Sequence, residues 1–451
     1  MSHLSVVEDI VFPALPGQQG ASLLAALWQF EQTQWWSAER LRCSQQDQLR
    51  QLLDHAMLTV PFYQQRLSEV NYQPGQAWDE DMWSALPVLK RQQVQQFRDR
   101  LQTQRLPKGH GNAYHVQSSG STGRPVQVLG SDVTRFYWNV VTLRDNHWRR
   151  YDYTQNYAAV RPDGSAKKQD RLFYKGRGIP VDLVYHAEST MTINSRVDVR
   201  QQLQWLKEYK PVYLTTLPSN LRELLRLCEQ DGNVLPDLKQ VRCLGETVTR
   251  ELRDYTQKVW GVDLSDIYSS QEVGYMALQC PEHDHYHVQS ETVYFEVLDD
   301  NNQTCAPGEI GRVVVTPLHN FATPLIRYEV GDYAEVGDPC PCGRGLPVLK
   351  KIMGRSRNMV RTPEGKCYWP SFPVDNWLAV ADIHQFQLKQ VKLDEIEAVV
   401  AMNGEMTEEK EKLLVQKLQR SLGYPFKISF RYVEEISVQK NGKYEDFISL
   451  L

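Results

Sequence analysis

The chain has 451 residues, 41% of them hydrophobic and 24% charged, with a net charge of −4 at pH 7. That length exceeds one ordinary core, so a large domain joined to a smaller one is expected, and the charge leaves no basic footprint for nucleic acid. No run approaches the roughly 20 apolar residues of a bilayer span, and Glu8 and Asp9 break the order of an export signal, so a cytoplasmic protein without membrane insertion is expected.

About residues 1–110 read mainly as helix. Leu49, Leu52, Leu53, Ala56 and Met57 recur at i, i+3, i+4, i+7 and i+8, an apolar stripe on one helix face, and Pro61 cannot continue that helix. Trp28, Trp35, Trp36, Trp78 and Trp83 are expected to pack in a core or under a lid. From about residue 114, short apolar strands alternate with helices. Val116 leads into a glycine loop, 126–129 follows it, and Leu221, Leu224, Leu225 and Cys228 make another helical stripe. Residues 241–244 are a buried-strand candidate running into Gly245-Glu246-Thr247, and 292–298 with 310–316 form a strand pair across a turn. This mixture predicts an α/β large N-terminal domain. After Gly354-Arg355 the pattern resets, with strands at 385–391, 395–401 and Lys427–Val433 and a helix at Glu408–Leu422. A small α+β C-terminal domain follows from it, dividing the chain into 1–354 and 355–451.

Four constellations carry chemistry. In Ser118-Ser119-Gly120-Ser121-Thr122-Gly123-Arg124-Pro125 the glycines free backbone N–H groups to face an anion, hydroxyls add donors and Arg124 adds charge, which suits a triphosphate. It lacks the Gly-Lys-Ser/Thr ending of a P-loop. Asp266-Ile267-Tyr268-Ser269-Ser270-Gln271-Glu272 sets an aromatic ring near a carboxylate able to hold Mg²⁺. In Leu325-Ile326-Arg327-Tyr328-Glu329-Val330-Gly331-Asp332 the final carboxylate suits ribose hydroxyls. Lys443, in Lys440-Asn441-Gly442-Lys443, is a mobile cation suited to charge developing on phosphorus.

In this order, with Gly354-Arg355 between the last two, the motifs resemble the adenylate-forming superfamily of acyl-CoA synthetases, adenylation domains and luciferases. Gln51-Leu52-Leu53-Asp54-His55-Ala56, Leu86-Pro87-Val88-Leu89-Lys90 and Cys340-Pro341-Cys342-Gly343-Arg344 narrow the resemblance. They are similar to the phenylacetate–CoA ligase branch and its capsular-polysaccharide-biosynthesis relatives. The resemblance implies that Ser118, Ser119, Gly120, Ser121, Thr122, Gly123 and Arg124 hold phosphates, and that Gly245, Glu246 and Thr247 line the adenine and acyl sites. Tyr268 would stack on adenine beside Ser269 and Gln271, Glu272 would coordinate Mg²⁺, and Asp332 would take the ribose. Arg355 would assist, and Lys443 would stabilise the adenylation transition state. A small carboxylic acid, ATP and CoA would be the substrates, with the small domain turning near Arg357 between half-reactions. Delivery of the acyl group to an amine or a carrier-protein thiol is the alternative within catalysis.

Two positions depart from the family pattern: Gln271 replaces a Thr or Ser, and Arg357 stands where the hinge is usually acidic. They motivate a reading of another class, a non-catalytic nucleotide-binding protein. Eight cysteines in so long a chain make no disulfide scaffold. The resemblance singles out Cys280, His287, Cys340 and Cys342 as a structural zinc set, with His283 and His285 as alternative ligands and Cys305 a weaker one. Monomer and homodimer are both consistent with the sequence.

Overall fold

The computed structural model of the chain describes residues 3–118, 125–162, 170–232, 234–370, 380–436 and 445–451. The predicted apolar stripe lies on helix α2 (Ala38–Thr59), where Leu49, Leu52, Leu53 and Ala56 are completely buried. The Ser37 side chain accepts from the Arg40 N–H and caps α2. Pro61 both ends α2 and opens α3 (Pro61–Ser68), at a position where its missing N–H has no helical partner to lose. Tyr63 on α3 donates its hydroxyl to the Pro324 carbonyl at 2.9 Å and accepts from the Ile326 N–H at 3.0 Å. Next along, Arg327 adopts a left-handed φ of 51°. Its guanidinium donates to the carbonyls of Trp83, Ser84 and Leu86 and pairs with Glu296 at 3.1 Å. Part of the 325–332 motif is therefore architecture, fastening the helical region to the sheet.

That sheet has twelve strands among the described residues, in two regimes. Thr190–Asn194, Tyr157–Arg161, Tyr213–Thr216, Gln240–Leu244 and Asp263–Ser270 run parallel, with Arg171–Tyr174 antiparallel to Thr190–Asn194 at the outer edge. Beyond Asp263–Ser270 the order continues antiparallel through Gly274–Gln279, Tyr286–Val288, Val348–Arg355, Tyr328–Val336, Ile310–Pro317 and Val293–Leu298. The predicted strands at 241–244, 292–298 and 310–316 are thus present within a residue of their expected ends. Apart from the sheet, Ala113–Gln117 pairs with Gln127–Ser131 in a hairpin that carries the glycine loop. The tryptophans divide: Trp83 is buried, whereas Trp28 and Trp35 are 65% and 51% exposed, contrary to the expected core packing.

The loop containing Cys340 and Cys342 docks on the corner between α1 (Gln18–Thr33) and α2. The Gly345 N–H donates to the Gln34 carbonyl at 2.9 Å, while Arg344 lies over the rings of Trp35 and Trp148. A Cβ on Gly345 would stand 1.7 Å from the Trp36 carbonyl oxygen. Gly345→Ala is therefore expected to destabilise the fold by about 1–3 kcal/mol through forced backbone displacement, read as a lower thermal midpoint.

The C-terminal unit is a four-stranded sheet in the order Lys427–Val433, Glu395–Asn403, Asp382–Lys392, Phe447–Ser449. The helix Glu408–Leu422, capped by Thr407 and ended by left-handed Gly423, covers it with Leu414, Leu418 and Leu422. This is the small α+β domain the sequence predicts. No helix among the described residues is long and apolar enough to cross a membrane.

Candidate active site

The switch from parallel to antiparallel pairing falls between Asp263–Ser270 and Gly274–Gln279. A tight turn joins those two strands and carries Gln271 and Glu272. Tyr268, near the end of its strand, is buried and donates its hydroxyl to Asp332 Oδ2 at 2.9 Å. Burial, and after it the Asp332 carboxylate, push this phenol well above its usual range, so it remains a donor. Asp332 faces Arg355 in register across Tyr328–Val336 and Val348–Arg355, with Arg355 Nε 3.6 Å from Asp332 Oδ1. Gly354, at φ 79°, brings the backbone close to Thr247: a Cβ there would lie 3.1 Å from the Thr247 hydroxyl. The structure thus gathers Thr247, Tyr268, Asp332 and Arg355, which the sequence spreads over more than a hundred positions.

Glu272 is buried at the turn after Ser269 and Ser270, whereas neighbouring Gln271 is exposed. Arg91, which sequence reasoning passed over, stands 3.7 Å from Glu272 Oε1 and donates to Ser118 Oγ at 3.1 Å. Ser118 also exchanges bonds with Val126: its N–H donates to the Val126 carbonyl at 2.9 Å, and its Oγ accepts the Val126 N–H at 2.8 Å. Arg91 therefore links the base of the glycine loop to the acidic turn. Its signal was the 86–90 stretch just before it, whose Leu89 bonds the backbone of Arg327 and Glu329. Ser119, Gly120, Ser121, Thr122, Gly123, Arg124 and Lys443 lie outside the described residues.

Two residues singled out by the sequence have partners it did not indicate. Glu246 uses its carboxylate to accept from the Ser219 N–H at 2.9 Å and hydroxyl at 3.1 Å, at the start of the helix Pro218–Asp231. That is helix anchoring, favoured by the positive end of the helix. Arg357, taken as an anomaly of the hinge, pairs with Glu445, and Arg222 on Pro218–Asp231 pairs with Asp446 through both nitrogens at 3.1 Å. The hinge cation is thus a partner for an acid elsewhere, which removes one motive for the non-catalytic reading.

The cysteine cluster also assembles. Cys280 Sγ lies 3.9 Å from Cys340 Sγ, and Cys342 Sγ lies 3.5 Å from His287 Nε2. Tetrahedral zinc, with bonds of about 2.3 Å to sulfur and about 2.0 Å to nitrogen, sets such edges at about 3.8 and 3.5 Å. The donor atoms of Cys280, His285, His287 and Cys340 all lie within 4.8 Å of one another, so His285 joins the candidates as a fifth donor. Burial holds His287 down at about 4, a neutral imidazole with a lone pair to give. The donor set fits zinc, and it would tie the 280–287 turn to the 340–342 loop.

With this geometry in view, the relatives agree. The CapK C-terminal domain family matches residues 371–449. The phenylacetate-coenzyme A ligase of Pseudomonas putida is 25% identical over 86% of this chain and 88% of its own length. That of Escherichia coli is 24% identical over 72% and 73%. A 2-hydroxyisobutyryl-CoA ligase in its postadenylation state superposes with a TM-score of 0.70 at 18% identity, over 91% of this chain and 90% of that one. Along most of its length the chain is similar to phenylacetate–CoA ligases, and it shares the large α/β domain and small C-terminal sheet domain of the CoA-ligase structure on which it superposes. The same 2-hydroxyisobutyryl-CoA ligase in its thioesterification state superposes at 0.56 over a similar share of the chain.

Proposed function

We propose that the protein activates a small carboxylic acid with ATP as an acyl-adenylate, releasing pyrophosphate, and then passes the acyl group to CoA. The observation that carries this is the meeting of Tyr268, Asp332 and Arg355, together with the Glu272–Arg91–Ser118 line. Tyr268 would stack on the base, Asp332 would accept from the ribose hydroxyls, and Arg355 would steady the Asp332 carboxylate. Ser118 and Arg91 would hold the neck of the loop around the phosphates. An acid oxygen attacks the α-phosphorus, the bond to pyrophosphate breaks, and Lys443 offsets the charge on the phosphoryl oxygens. Mg²⁺, held by Glu272, would supply further neutralisation of phosphate charge. CoA sulfur then displaces AMP from the acyl carbon, forming the thioester.

ATP–pyrophosphate exchange across a panel of acids tests the reading. Exchange that depends on an acid, and falls by about a thousandfold in Lys443→Ala, is expected; none with any acid would overturn it. Delivery to an amine or carrier thiol shares the same first half-reaction and is the second reading. CoA-dependent AMP release decides between the two.

We also propose that Cys280, Cys340, His287 and either Cys342 or His285 hold structural zinc. About one zinc per chain by elemental analysis is expected, with Cys340→Ser losing the metal and lowering the thermal midpoint. A metal-free protein of unchanged thermal midpoint would refute it.

A further inference from the structure

A cavity of about 70 Å³ opens beside Gln271 and Glu272, between the helix Asp132–Trp148, the hairpin strand Ala113–Gln117 and the segment 317–320. Its place next to the acidic turn makes it the natural seat for the body of an acid whose carboxylate meets the α-phosphorus. Volume is the first constraint. An apolar protein cavity that takes benzene measures about 150 Å³, twice this one, so a phenyl ring does not fit here without moving a wall. The walls are braced. Tyr137 stacks on His319 with ring centroids 3.8 Å apart and planes 15° from parallel, and Trp138 lies against Tyr275 at 4.8 Å.

Polarity is the second constraint. Most polar groups on the lining are occupied within the protein. The Tyr275 hydroxyl meets Thr142 at 3.1 Å, the Thr134 hydroxyl donates to the Ser131 carbonyl at 2.7 Å, and the Asn320 amide donates to the Leu129 carbonyl at 3.1 Å. His319 differs. Its Nδ1 is buried and has no hydrogen-bond partner among the described residues. Desolvation, with a minor contribution from His110, lowers the ring to about 3, so the imidazole is neutral, with one donor and one acceptor. A buried ring nitrogen without a hydrogen bond is uncommon and signals a missing partner.

We propose that this cavity is the acyl pocket, and that it takes a short acid, less bulky than a benzene ring, carrying a hydroxyl or amino group that hydrogen-bonds His319. The assignment rests on the acyl-adenylate reading above, and it separates this chain's substrate from the phenylacetate of the curated relatives.

Pyrophosphate exchange with 3-hydroxybutyrate, butyrate and phenylacetate tests it. In the native chain kcat/KM is expected to favour 3-hydroxybutyrate over butyrate by about tenfold, the worth of one hydrogen bond, and over phenylacetate by more. His319→Leu should bring the hydroxybutyrate-to-butyrate ratio close to one. Tyr137→Ala, which enlarges the cavity, should raise phenylacetate by about tenfold, a gain that a misfolded variant cannot produce. Phenylacetate as the best substrate of the native chain, or an unchanged ratio in His319→Leu, would overturn the pocket while leaving acyl-adenylate formation in place. Exchange with no acid at all would remove both.

Discussion

Replacing Glu272 by glutamine is expected to cut ATP–pyrophosphate exchange by about 10²- to 10³-fold and to raise the Mg²⁺ concentration needed for half-maximal rate. The substitution keeps the shape of a side chain only 7% exposed and removes its charge. Arg91, 3.7 Å away, keeps its bond to Ser118, so the neck of the glycine loop should survive. Thermal unfolding should therefore shift little, by about 1 kcal/mol or less. Exchange in the variant equal to that of the native chain across a Mg²⁺ titration would show that Glu272 is no ligand.

Reversing Arg222 to glutamate should slow exchange by about ten- to a hundredfold, as expected when like charges replace a close, partly shielded pair. Arg222 belongs to the large domain and Asp446 to the small one, and their twin 3.1 Å bonds hold the two together in this arrangement. If the small domain turns between the proposed half-reactions, consumption of preformed acyl-adenylate by CoA should fall less than about threefold. Arg222→Glu combined with Asp446→Arg should recover exchange, because the cycle isolates the pair. A double variant no better than the single one would sink the cross-domain role.

Much of this architecture was legible because it is local. The α2 stripe, the strands near 241, 292 and 310 and the small domain's helix follow from periodicity and caps, which need only neighbours in sequence. The nucleotide motifs were legible for the same reason, as were Cys340 and Cys342. What escaped depends on pairing across long separations. Arg91 reaches the site only because Leu89 joins the backbone at 327 and 329, and Asp446 meets Arg222 across 224 positions. The Glu246 motif likewise says nothing of Ser219, which donates to its carboxylate. His319 carried no motif at all, since an orphaned nitrogen is a property of surroundings rather than of spacing.

The paired acids Glu445 and Asp446 have a kinetic consequence for Lys443. With Arg357 and Arg222 holding them, position 443 lies two residues of sequence from an anchored acid. At no more than about 3.6 Å per residue, two residues of chain span at most about 7 Å. On the proposed role of Lys443, a cation kept within such a span would have a local concentration far above anything a free amine reaches in solution. Loosening either arginine would dilute it, so the loss should appear in kcat, with ATP binding largely spared.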